Sequence, residues 1–181
     1  YLWINAAEVA FLKAEYELRW GTKDAAKALY EQAIRLSFED KGAKDADAYI
    51  ADKTRKPAAY NDPLGNYSAT ALSSITIAWE DDSAEGADKA AIKERNLERI
   101  ITQKWIANHM IGHEAWADVR RTGYPRLLQV VNNLSGGMWG NVDSSKGMRR
   151  LHYPQSEYDN NRENVLKGVE LLGGSDLHGT D

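Results

Sequence analysis

The sequence predicts an all-α fold: a tight helical hairpin first, further helices after it, and long loops between them. Three observations carry this expectation. Apolar residues recur at three- and four-residue intervals from Leu2 to Phe38 and again between residues 88 and 111. Glycine and proline stand where helix stops are placed. Alternation of apolar and polar residues, the mark of a half-buried strand, is confined to one short run, Ile75, Ile77 and Trp79.

Leu2, Ala6, Val9, Leu12 and Tyr16 place one apolar face on a helix running to about Arg19. Gly21 stops it, and Thr22 or Asp24 starts a second helix, on which Ala26, Leu29, Tyr30, Ala33 and Leu36 continue the period through Phe38. The small residues Ala14, Ala26 and Ala33 let the two helices approach closely, with Tyr30 filling the space between them. The hairpin over residues 1–38 thus resembles a single tetratricopeptide unit, a kind of unit that stacks on neighbours rather than standing alone. Because the first residues already read as helix, the chain is expected to be a fragment or processed form.

Residues 39–181 are loop-rich. From Lys53 to Ala71 the mixture of Pro57, Pro63 and Gly65 with Tyr60, Asn61, Asp62, Asn66 and Tyr67 is that of turns. Glu80 to Glu85 is acidic and turn-like. A helix over about 88–111, interrupted near Asn96, carries Leu97, Ile100, Ile101, Trp105 and Ala107. A shorter helix from Glu114 to Arg121 ends at Thr122-Gly123, with Pro125 beyond. Leu134 to Gly147 is a glycine-rich loop around Trp139. Tyr153-Pro154 is an extended entry to a last helix, capped by Ser156 or Asn161 and lined by Val165, Leu166, Val169 and Leu172.

Composition narrows the function. A chain of 181 residues suffices for one ordinary domain. Its 23 Lys and Arg against 27 Asp and Glu, a net charge of -4, and the lack of any basic block longer than a pair argue against nucleic acid as the partner. With no cysteine, disulfides, thiolate nucleophiles and Cys-based zinc sites are excluded. No apolar run reaches the length of a membrane span.

Few residues are placed for chemistry. His109 and His113, with Glu114 adjacent, have the spacing of a helical metal site, but Gly112 interrupts it and the order of a zinc-protease motif is lacking, so no metal or other cofactor is expected. Glu114 and Asp118 are spaced on one helix as a carboxylate pair, yet Arg120 and Arg121 beside them favour an internal ion-pair network over catalysis. Among the aromatics, Trp3, Trp20, Trp105 and Trp116 lie on helices or at a helix end and are expected in the core. Trp79, Trp139, Tyr60 and Tyr67 lie in loops and are the candidate ligand contacts, because loops on a rigid scaffold carry function more often than helices do.

Three blocks in order, Ile101-Thr102-Gln103-Lys104-Trp105-Ile106-Ala107, Gly112-His113-Glu114-Ala115-Trp116-Ala117-Asp118-Val119-Arg120-Arg121-Thr122-Gly123-Tyr124-Pro125, and Met148 to Pro154 followed by Glu157, Asn161, Asn164, Gly173-Gly174 and Asp176, resemble the signature of the SusD/RagB family, surface lipoproteins of Bacteroidetes. The resemblance covers most of the chain. It implies an α superhelical scaffold of which residues 1–181 form the C-terminal portion, with residues 1–38 as the last repeat unit. It also implies a lipid anchor in an upstream segment, placement on the outer-membrane surface, and a TonB-dependent SusC-like transporter as partner. The implied function is capture of oligosaccharide, in some members peptide, for delivery to that transporter without bond cleavage. Within the signature, Lys104 is expected against an indole face, Asp118 paired with a following Arg, and Trp105 and Trp116 locking the helices. Two other readings stay open: a fragment of a helical-toroid glycosidase using Glu114 or Asp118, and a tetratricopeptide-type protein-interaction scaffold.

Overall fold

The computed structural model describes residues 3–135, 142, 144, 147, 151–173 and 176. The chain divides into two compact units, Tyr1–Leu127 and Leu128–Asp181. In the first unit, helices α1 (Ala6–Trp20) and α2 (Lys23–Asp40) form the hairpin, followed by α3 (Ala46–Ile50), strands β1 (Tyr60–Asn61) and β2 (Ser68–Ala69), α4 (Lys89–Ala107) and α5 (Gly112–Thr122). The all-α class holds, with the small two-stranded sheet as its only described extended pairing.

The hairpin forms where its caps place it. Thr22 accepts the Ala25 amide at 3.3 Å and starts α2. Gly21 closes α1 by donating its amide to the Glu17 carbonyl, and Glu17 folds over it to accept the Thr22 amide at 3.1 Å; a Cβ on Gly21 would collide with that carboxylate. Ala14, Ala26 and Ala33 are fully buried, so the helices meet as the small residues allow. Phe11 packs edge-on to Tyr30 at 6.3 Å, and Leu97, Ile100 and Ile101 of α4 close the core. Each fully buried large apolar side chain here contributes about 1.5–3 kcal/mol.

The buried face of α1 is not the one the periodicity selected. Ala6, Val9, Leu12 and Tyr16 are exposed, Leu2 lies outside the described residues, and the packed stripe is Ala7, Ala10, Phe11, Ala14 and Leu18. The helix carries two apolar stripes, and the one with three alanines admits α2 at close range. The tryptophan expectation also requires correction: Trp3 is 74% exposed, Trp20 73%, Trp116 54% and Trp105 40%. On α4 the inward stripe is Leu97, Ile100 and Ile101, Lys104, Ala107 and Asn108, which leaves Trp105 one residue, about 100°, to the side. Trp20 stacks on Tyr16 at 5.5 Å instead of entering the core, and Arg120 lies over Trp116 at 5.2 Å.

Helix α4 runs through Asn96 without interruption. Asn96 is buried, and its side chain accepts from the Glu80 amide and the Arg99 guanidinium, both at 3.1 Å, and donates to the Glu80 carbonyl at 2.9 Å, so it bonds the neighbouring loop and not the backbone of its own helix. The run Ile75–Trp79 has no strand partner among the described residues. Ile75 and Ile77 are buried, and the backbone is held by side chains: Arg99 donates to the Thr76 carbonyl at 3.1 Å and Tyr30 to the Ile77 carbonyl at 2.7 Å. Burial pushes the Tyr30 phenol above its usual range.

In the long loop, β1 and β2 pair antiparallel, Tyr60 opposite Ala69 and Asn61 opposite Ser68. Asp62 organises the turn by accepting the Leu64 and Asn66 amides at 3.1 and 3.0 Å. Gly123, at φ 76, ends α5 in the left-handed region as the stop signal predicts.

In the second unit, α6 (Gln155–Asn160) and α7 (Arg162–Leu171) follow the extended Pro154. Neither Ser156 nor Asn161 makes the expected capping bond to the backbone; the Asn161 amide donates to Glu157 at 3.2 Å. Val165 is buried, whereas Leu166 is exposed. The buried Asp176 accepts the Tyr153 amide at 2.9 Å and the Tyr158 hydroxyl at 2.6 Å.

Candidate ligand-binding site

The polar side chains on the inward face of α4 tie it to its neighbours. Lys104, 2% exposed, sets Nζ 2.9 Å from Asp118 Oδ2 and 3.4 Å from Glu8 Oε1, joining α4 to α5 and α1. Asp118 also meets Arg121 at 2.9 Å, and Arg121 pairs with Glu15, which holds Arg19 at 2.8 Å. Burial alone would raise the Glu15 carboxyl, but the hydrogen bonds and charges of Arg121 and Arg19 together outweigh it and hold the group below its ordinary range. Asp118 thus pairs with a following arginine as expected. Lys104 does not lie on an indole: the helices are fastened by this ionic cluster, while Trp105 and Trp116 lie outside it.

The two carboxylates spaced along α5 have different surroundings. Asp118 is buried between Lys104 and Arg121, and half-exposed Glu114 meets His113 at 3.7 Å. Among the described residues, no group of three His, Asp or Glu gathers as metal ligands.

A second cluster positions the loop opposite α4. Glu80 pairs with Arg95 and, at 3.1 Å, with Arg99; chiefly through the Arg95 hydrogen bond its carboxyl is held below the ordinary range. Between this loop, α4 and residues 125–127 lies a cleft of about 390 Å³. That volume falls in the range of small-molecule sites, about 300–1,000 Å³. Trp105, Ile75, Ile77 and Pro125 give it apolar walls. Thr102, Gln103 and Tyr49 supply hydroxyl and amide groups, and Arg55, Lys56 and Arg126 are its exposed cations. Tyr49 donates to Gln103 Oε1 at 3.1 Å, and Arg126 reaches Glu98 at 3.2 Å. The Thr102 hydroxyl oxygen is buried with no hydrogen-bond partner among the described residues.

The loop aromatics singled out from sequence are dispersed. Tyr60 and Tyr67 face each other across the β-hairpin at 6.1 Å, with Tyr60 exposed. Trp79 is half-buried against Tyr30 at 5.5 Å and lines two other hollows, one shared with Arg95 and Arg99, the other with Lys23, Lys27, Lys89 and Lys93. Neither hollow is lined by Tyr60 or Tyr67. Trp139 lies outside the described residues. Hydrophobic periodicity places Trp105 in the core and so hides the cleft, of whose lining Arg55-Lys56-Pro57 is a run contiguous in sequence.

A family model described as SusD-like, Susd and RagB outer membrane lipoprotein, matches residues 1–181. The chain belongs to the SusD/RagB family. A SusD homologue from Bacteroides uniformis of known structure is 50% identical, with a TM-score of 0.82 over 99% of this chain and 36% of its own. A SusD homologue from Bacteroides thetaiotaomicron is 44% identical, with a TM-score of 0.80 over 99% of this chain and 37% of its own. A chitin-binding SusD homologue from Flavobacterium johnsoniae is also 44% identical, with a TM-score of 0.78 over 98% of this chain and 35% of its own. No curated protein matches the chain. Residues 1–181 therefore span little more than a third of the length of these SusD homologues.

Proposed function

We propose that the protein is a surface nutrient-binding component that captures oligosaccharide, or peptide, and passes it to a TonB-dependent SusC-like outer-membrane transporter, without cleaving it. The observation that carries this reading is membership of the SusD/RagB family along the whole chain, together with 44% identity to a chitin-binding member. In this reading residues 1–181 form the C-terminal portion of a SusD-like domain, with residues 1–38 as its last tetratricopeptide-like hairpin. A lipid anchor holds the mature protein at the cell surface.

The absence of catalysis is supported by the state of the carboxylates. Asp118 is committed to Lys104 and Arg121, and Glu98, the carboxylate lining the cleft, is committed to Arg126. Binding then depends on rings and hydrogen-bonding groups at the surface. Tyr60 and Tyr67 on the hairpin, with Trp79 and Trp139, are the aromatics we assign to ligand contact. The test is calorimetry on the full-length protein with a panel of glycans and peptides, on the wild type and on Tyr60→Ala, Trp79→Ala and Trp139→Ala variants. Saturable binding without new reducing ends, together with co-purification of a transporter, is expected. Sustained hydrolysis lost in Glu114→Gln would overturn the reading.

A further inference from the structure

From the cleft beside Trp105 we infer a site for an anionic saccharide, one bearing a carboxylate or sulfate on the ring; this rests on the glycan-binding reading above. The charge around the cleft is opposite to that of the molecule. In a chain of net charge -4, the lining holds Arg55, Lys56, Arg99 and Arg126 against the single carboxylate of Glu98. Arg99 is committed to Glu80, and Arg55 meets Asp52 through Nε at 3.0 Å. Arg126 holds Glu98 through Nε and lies over the Tyr124 ring at 5.6 Å, and its terminal nitrogens have no hydrogen-bond partner among the described residues. Lys56 is exposed and has no ion-pair partner there. A concave, partly apolar surface concentrates the field of such cations on a ligand inside it.

The remaining lining selects a sugar over a simple anion. Trp105, 40% exposed, presents an indole of the kind that packs on the C–H face of a pyranose. Deeper in, the Thr102 hydroxyl is buried without a hydrogen-bond partner, and the Gln103 amide, whose oxygen takes the Tyr49 hydroxyl, keeps its nitrogen unpaired among the described residues. A ring hydroxyl, both donor and acceptor, accepts from that Gln103 nitrogen. An inorganic anion would use the cations and leave that amide and the indole idle.

The experiment is calorimetry on the full-length protein with three probes: oligogalacturonate for the carboxylate, a carrageenan oligosaccharide for the sulfate, and a neutral chitin oligosaccharide. At least one acidic probe is expected to bind more tightly than the neutral one, with an affinity that falls as salt rises. Lys56→Gln, a change at an exposed and unpaired side chain that spares the fold, should weaken that probe about tenfold and reduce its salt dependence. Trp105→Ala should weaken it too, with inorganic sulfate failing to compete at millimolar concentration. Acidic probes that bind no better than the neutral one, or bind equally well in both variants, overturn the inference while neutral binding keeps the glycan reading intact. Binding of an acidic peptide with no glycan bound at all overturns the inference and turns the proposed function to its peptide arm.

Discussion

Replacing Lys104 by Met tests the central fastening of the fold. The side chain is 2% exposed, with Asp118 Oδ2 at 2.9 Å and Glu8 Oε1 at 3.4 Å from its ammonium, and both carboxylates are themselves buried. Methionine keeps much of the stem volume and removes the charge. Asp118 retains Arg121 at 2.9 Å, whereas Glu8 loses its only ion-pair partner among the described residues. A buried charge stripped of its partner costs about 3–5 kcal/mol, far more than an exposed pair contributes. Urea denaturation of the full-length protein, followed by circular dichroism and compared at constant slope, should show a loss of that size. The Lys104→Met/Glu8→Gln double variant should recover at least about 1 kcal/mol of it, because the stranded charge is gone. A Lys104→Met midpoint within about 0.5 kcal/mol of wild type would refute the argument, since it would mean that the cluster is solvated.

Three further changes follow from the same structure. Tyr30→Phe strips the Ile77 carbonyl of its 2.7 Å hydrogen bond inside the core and should cost about 1–3 kcal/mol in the same denaturation assay. Gly123→Ala forces a side chain into φ 76 at the end of α5 and should cost about 1 kcal/mol, with no effect on the affinity of any ligand found. Acid should weaken the fold through Glu15 and Glu80, whose carboxyls are held below the ordinary 4.5. Their contribution is complete above that value and is lost as the pH falls through the lowered native one, so stability measured between about pH 6 and pH 3 should decline on the acid side and decline less in Glu15→Gln.

Local signals in the sequence placed the helix ends well. Thr22 caps α2 and Gly123 ends α5 because caps and stops depend on residues a few positions apart. The family blocks were legible for a similar reason, being contiguous. What the pattern misread were the inward faces. Hydrophobic periodicity puts Trp105 on the inward face of α4, yet that helix turns Asn96, Arg99, Gln103 and Lys104 inward. A buried polar side chain is tolerated only beside its partner, and the partners here, Glu8, Glu80 and Asp118, come from three other segments that no local window joins. The cleft escaped notice for the same reason: its lining is drawn from residues 49–57, 73–77, 98–106 and 125–127.

The way α4 and α2 hold the loop before α4 bears on how such a scaffold can change what it binds. Arg99, Asn96 and Tyr30 grip the loop by main-chain atoms, the carbonyls of Thr76 and Ile77 and both backbone groups of Glu80. The path of the segment is thereby set by its peptide groups, the two inward isoleucines and the Glu80 carboxylate held by Arg95 and Arg99. Ser74 and Thr76, which line the cleft or the hollow next to it, contribute side chains that the clamp never reads, whereas the Ser73 hydroxyl accepts the Ile75 amide at 3.2 Å. New chemistry can be introduced at Ser74 and Thr76 while the loop keeps its course, so the recognition surface is free to diversify on a backbone that stays where the helices put it.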